Sequence, residues 1–220
     1  MLRTPFRPIV SVLTAALLLT PSSFAFDSPL SDQAVREAYF LGQRHDASFL
    51  SKYIKSLPTP RTGPHISSVT FLTPFAQLAQ LSERRIGNYS AQQARLDHRG
   101  RVEVVRIVIE IQLTPTYGTF LAPEANSRSS APLALIPRPR DFWRDFQVQI
   151  SDDDQRLTPA DSHGRANYNC GRYGYPCNLA GATLEFDFPA NAFTSESATI
   201  QVLPPEGDEV FVDFDLTRLR

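Results

Sequence analysis

Val102-Glu103-Val104-Val105-Arg106-Ile107-Val108-Ile109-Glu110-Ile111-Gln112-Leu113 is the stretch on which the fold of this chain turns. Along an extended backbone Val105, Ile107, Ile109, Ile111 and Leu113 share one face, while Arg106, Glu110 and Gln112 share the other. Successive strand side chains point to opposite sides, so the pattern predicts a strand with one buried face. The same alternation returns downstream. Phe142, Phe146, Val148 and Ile150 alternate with Trp143, Asp145, Gln147 and Gln149, and Leu184, Phe186 and Phe188 alternate with Glu185 and Asp187. Ile200 and Val202 then lead into Pro205-Glu206-Gly207-Asp208. Val210, Val212, Phe214 and Leu216 return opposite Glu209, Phe211, Asp213 and Asp215, which reads as a terminal β-hairpin.

Strands with a single apolar face must cover it with a second sheet or with helices. The helices come from upstream. Ser31 caps a helical pattern carrying Val35 and Tyr39, and Asp46 caps a second start whose Phe49, Leu50, Tyr53, Ile54 and Leu57 keep helical spacing up to Pro58 and Pro60. Ile66 to Leu72 alternates as a strand. Thr73-Pro74 opens a helix over Phe75 to about Arg85, and Ser90 with Gln93 forms a capping box for a short helix ending before Gly100. The expected fold is therefore α+β: N-terminal short helices packed on a mostly antiparallel β-sandwich, immunoglobulin-like or jelly-roll-like. Residues 26–100 form the mainly helical part with one strand at 66–72. Residues 101–220 form the sandwich, interrupted by long loops at 114–140 and 151–182, where a functional site is to be sought.

Residues 1–25 read as a cleavable signal peptide. Arg3 and Arg7 precede the 11-residue apolar run Ile9 to Leu19, and Ser23-Phe24-Ala25 supplies small residues at the two positions a signal peptidase reads. The run is too short to span a bilayer as a helix, which argues against an uncleaved anchor. Cleavage after Ala25 would leave 195 residues starting at Phe26. Export to the periplasm or beyond it follows, with no membrane span in the mature chain and no lipid-attachment cysteine at the cleavage site.

Removing that segment leaves 20 basic against 23 acidic residues, a formal charge of −3. So even a balance gives no footprint for nucleic acid. All basic residues except Lys52 and Lys55 are arginine, which reads as compositional bias rather than a recognition device.

Cys170 and Cys177 flank Gly171-Arg172-Tyr173-Gly174-Tyr175-Pro176, and in an oxidising compartment such close cysteines in a glycine-rich loop are expected to bond. Their spacing fits neither a thioredoxin-like pair nor structural zinc. Tyr168, Arg172, Tyr173 and Tyr175, with Asn169 and Asn178 beside them, offer aromatic faces and polar donors suited to a sugar or a peptide, and are the candidate binding residues. The competing reading is that these rings pack over a sheet edge.

Other constellations carry less. Asp152-Asp153-Asp154, with Asp161, lacks the alternate spacing of an EF-hand and reads as a solvated acidic turn. Glu185, Asp187, Asp213 and Asp215 occupy polar strand faces, and no cleft in the sequence marks any of them as a general acid. His45, His65, His98 and His163 show no ligand spacing, so no metal and no cofactor are expected. Asp161-Ser162-His163 holds triad residue types only as chain neighbours. Asn88-Tyr89-Ser90 is a glycosylation pattern whose serine doubles as a helix cap.

Ala38-Tyr39-Phe40-Leu41-Gly42-Gln43-Arg44, Phe71-Leu72-Thr73-Pro74-Phe75, Tyr89-Ser90-Ala91-Gln92-Gln93 and the ending Val212-Asp213-Phe214-Asp215-Leu216-Thr217-Arg218-Leu219-Arg220 together resemble a group of exported bacterial proteins of unknown function. The resemblance implies bacterial export and carries no activity or site residue. The expected function is a non-enzymatic binding or scaffolding module of the envelope or extracellular space, its partner a glycan or an envelope protein. The alternative is a hydrolase acting on envelope polymers or glycans.

Overall fold

The computed structural model describes residues 26–85, 87, 89–123, 133–171 and 177–220, so residues 1–25, read from the sequence as a signal peptide, lie outside the described residues. Helix α1 (Asp32–Gln43) starts where Ser31 Oγ accepts from Ala34 N at 3.1 Å, and a 3-10 turn, Ala47–Tyr53, starts where Asp46 accepts from Ser48 N at 2.9 Å. Strands β1 (Ile54–Ser56) and β2 (His65–Leu72) follow, then α2 (Pro74–Arg84) and α3 (Ala91–His98). Thr73 and Ser90 cap these helices as expected. Only half of the capping box forms: the Gln93 side chain bonds Asp97 and does not reach back to the cap. The remaining strands are β3 (Val104–Gln112), β4 (Thr119–Pro123), β5 (Leu133–Pro137), β6 (Gln147–Asp152), β7 (Gln155–Leu157), β8 (Asp161–Cys170), β9 (Cys177–Pro189), β10 (Ser197–Leu203) and β11 (Val210–Asp215).

These strands build a five-stranded antiparallel sheet in the order β1-β2-β3-β9-β8, a four-stranded antiparallel sheet in the order β11-β10-β6-β7, and the β4-β5 hairpin. The two larger sheets pack together. Val105, Ile107, Ile109 and Ile111 of β3 are at most 1% exposed. At roughly 1.5–3 kcal/mol each against full exposure, that single strand contributes on the order of 6–12 kcal/mol of burial, an upper bound because unfolded chains already hide some surface. The facing sheet supplies Ile150, Ile200 and Val212, which lie in register across three strands. Phe71 bridges the layers, with its ring centroid 5.1 Å from that of Phe193, 5.5 Å from that of Phe214 and 6.4 Å from that of Phe26. A second apolar cluster, including Val35, Ala38, Phe75 and Ala79, joins the helices to one another.

Four expectations need correction. Ile54 leaves the helical segment to enter β1, and Leu57 donates its N–H to Ser67 O beside the sheet, because the 3-10 turn ends at Tyr53. Phe142–Asp145 forms a 3-10 turn ahead of β6, its Phe142 and Phe146 rings 6.1 Å apart around Tyr117, so those two phenylalanines follow helical rather than strand spacing. Among the described residues the expected loops at 114–140 and 151–182 contain strands: the first holds β4 and β5, the second β7, β8 and the start of β9. Asp152 is no solvated turn residue; it is 4% exposed and accepts from Thr194 N at 2.8 Å and Ser195 Oγ at 2.6 Å.

The start of the described chain is strapped down. Glu103, just before β3, accepts from Leu30 N at 2.6 Å, Ser28 Oγ at 2.7 Å and His98 Nε2 at 2.8 Å. Burial would raise its carboxyl, but the hydrogen bonds from His98, Leu30 and Ser28 outweigh that and hold it below the ordinary carboxylate value.

Candidate functional site

The alternation that buries one face of β3 leaves its other face free, and that outer face is where the chain's charges gather. Register sets Arg106 opposite Asp187, Val108 opposite Glu185 and Glu110 opposite Thr183, with His163 and Arg165 of β8 one strand further on. Arg106 grips Asp187 with two parallel hydrogen bonds of 2.7 Å, which hold its guanidinium firmly protonated, above its ordinary range. Glu185 is shared at longer range by His163 (3.5 Å), Arg106 (3.7 Å) and Arg165 (3.7 Å). Glu110 accepts from the buried Thr183 hydroxyl at 3.0 Å and from Asn167 Nδ2 at 3.3 Å.

This face floors a cleft of about 690 Å3. Leu72, Val104 and Val108 give it an apolar strip beside Thr70, and α2 raises Leu78, Leu81 and Arg84 along its side. Gln77 fixes that helix to the sheet by donating from Nε2 to Val104 O at 2.7 Å and to Leu72 O at 3.0 Å. Arg101 and Arg165 complete the rim. Among the described residues, the exposed guanidinium groups of Arg84 and Arg101 have no ion-pair or hydrogen-bond partner, whereas Arg106 is taken by Asp187. Uncommitted positive charge therefore lies beside an apolar strip, in a groove open to solvent.

The residues named from the sequence fare unevenly. Cys170 and Cys177 are bonded and pair in register at the ends of β8 and β9, so the cross-link closes a hairpin rather than a free loop. Tyr168 is 51% exposed near that tip and does not line the cleft. Arg172, Tyr173 and Tyr175 lie outside the described residues. Asp213 accepts from Thr199 Oγ1 at 2.6 Å on the outer face of the other sheet, and Asp215 caps the closing 3-10 turn. Strand alternation sends Asp161 and His163 to one face and Ser162 to the opposite one, so these neighbours cannot assemble a triad. Among the described residues no three His, Cys, Asp or Glu side chains gather as a metal site.

Sequence reasoning missed the cleft because its rim comes from α2, the segment before β3, β3 itself and β8, which only the order β2-β3-β9-β8 brings together. One signal was available: Arg106 and Glu110 stand on the polar side of the strand that decides the fold. The chain matches no protein-family model and no curated protein.

Proposed function

We propose that the chain is an exported, non-enzymatic binding or scaffolding module of the bacterial envelope or extracellular space, its two packed sheets forming a β-sandwich, and that it holds an acidic glycan in the cleft. The Arg84 and Arg101 guanidinium groups beside the apolar strip, which have no partner among the described residues, carry this reading. Guanidinium forks match carboxylates, and apolar surface suits the faces of sugar rings. On the same face Asp187 is held by Arg106, Glu110 by Thr183 and Asn167, and Glu185 is shared by His163, Arg106 and Arg165, an arrangement that favours binding over the hydrolytic alternative. Export is supported by residues 1–25 as read from the sequence and by the Cys170–Cys177 bond, which suits an oxidising compartment. Among the described residues no helix is long and apolar enough to cross a membrane.

Calorimetric titration of the full chain with oligogalacturonate, a neutral oligosaccharide of equal length and polyglutamate tests the reading. Oligogalacturonate binding that weakens with salt, and weakens about tenfold or more in Arg84→Ala/Arg101→Ala, is the expected result. Binding of polyglutamate alone would transfer the site to an acidic protein segment. Equal binding of the neutral sugar, or no effect of the double substitution, would overturn it.

A further inference from the structure

A second hollow, separate from the cleft, lies where α1, the Ala47–Tyr53 turn and the start of α2 meet. It measures about 300 Å3. Its lining is mostly apolar: Leu41 from α1, the half-buried Phe49, the buried Tyr53 and the buried Phe75. Two cations stand over this lining. The Lys52 ammonium lies 5.0 Å from the Tyr53 ring centroid, and the Arg220 guanidinium 5.1 Å from that of Phe75. They differ in what they already hold. Arg220 is committed to Asp27 at 3.0 Å and Glu37 at 2.5 Å, while Lys52 meets one backbone oxygen, Arg218 O at 3.1 Å, and no carboxylate among the described residues.

We propose that this hollow binds a small monocarboxylate with a single-ring body, the ring lying among Leu41, Phe49, Tyr53 and Phe75 and the carboxylate paired with the Lys52 ammonium. The volume is about twice the ~150 Å3 cavity that takes up one benzene, which leaves room for a ring and a short arm. An apolar chamber with very few polar groups at its mouth is the usual form of a small-molecule site. Charge complementarity chooses the head group. A carboxylate completes the hydrogen bonding of an ammonium that has three donors and one protein acceptor here, whereas an amine would meet two like charges. Partial burial, and then the neighbouring Arg220, also push the Lys52 ammonium below its ordinary pKa, a cost that an arriving carboxylate offsets. None of these residues lines the cleft, so this site stands or falls independently of the glycan reading.

The test is a heteronuclear NMR titration of the full chain with 3-phenylpropionate and with 3-phenylpropanol, which has the same body without the charge. Saturable shifts at Leu41, Phe49 and Ser51 are expected, with the carboxylate preferred by about tenfold, the scale of one exposed charge-assisted contact. Lys52→Met keeps the aliphatic stem and should bind the two probes alike. Ser51→Trp, at the exposed rim, should fill the hollow and abolish both titrations. Absence of saturable shifts in wild type, equal affinity for acid and alcohol, or a preference that survives Lys52→Met would each overturn the proposal.

Discussion

Replacing Glu103 should unfasten the strap that holds the segment around Ser28 and Leu30, with a magnitude that can be worked out donor by donor. The carboxylate accepts three hydrogen bonds while its side chain is 9% exposed. In Glu103→Ala the Ser28 hydroxyl and the His98 ring can turn toward water, at a cost of about 0.5 kcal/mol each. The Leu30 N–H is fixed by the backbone, and losing a charged acceptor there costs about 1.5–3 kcal/mol. The sum is roughly 2.5–4 kcal/mol, which for a chain of this length is a fall in Tm of roughly 5–15 °C. The pH dependence has a definite sign. Folding lowers the Glu103 pKa from about 4.5, so its charge contributes stability in full above that value and loses it as pH falls through the lower, folded one. Urea unfolding of wild type and the isosteric Glu103→Gln at pH 7 should show a clear gap, and the gap should shrink in acid below about pH 4. A Glu103→Gln protein within 0.5 kcal/mol of wild type at pH 7, or a gap indifferent to acid, would refute the reasoning.

Gly42→Ala should destabilise despite its helical position: a Cβ there would lie 2.1 Å from Ala79 O and 2.9 Å from Ser82 Cβ. Pushing α1 off α2 costs about 1–3 kcal/mol or more against a helix-propensity gain of about 1 kcal/mol, so the Tm should fall by a few degrees; a rise would show that the helices slide apart freely. Cys170→Ser/Cys177→Ser should lose about 2.5 kcal/mol, the chain-entropy value for so short a loop, and reductant should bring wild type to the same level. Oligogalacturonate titrations of that variant should match wild type, since no described residue from 166 to 182 lines the cleft.

What could be read from the sequence, and what could not, follows from where each signal came from. Caps are local, so Ser31, Asp46, Thr73 and Ser90 announced their helices or turns through a single side chain. Strand β3 and the β10-β11 hairpin announced themselves because one face meets the core and the other meets water. Strand β8 escaped because it is an edge: Ser162, Gly164 and Ala166 put small residues on its inner side, where the Trp143 ring lies against Gly164 and supplies the missing apolar cover. No period-two hydrophobic pattern survives that exchange. The Phe142–Asp145 turn was mistaken for strand because two phenylalanines four apart satisfy both periods, and the choice is made only by Tyr117 packing against them. Asp152 gave no local sign of burial, since its four donors come from Thr194 and Ser195 across the sheet.

The division of β3 into two faces also explains why the cleft can be tested without confusing binding with folding. Its inner face is committed to packing, where removing a few methyl groups from Ile107 or Ile109 would cost several kcal/mol. Arg84 and Arg101 sit on the far side of that commitment, exposed and without partners among the described residues, so changing them to alanine should move stability by no more than about 0.5 kcal/mol. Arg106 is different. Its pair of hydrogen bonds to Asp187 ties neighbouring strands, and truncating it leaves a carboxylate that is 17% exposed facing Glu185 without its counter-charge. An effect on glycan binding from Arg84 and Arg101 alone therefore reports recognition, whereas the same effect from Arg106 would not separate recognition from damage to the floor.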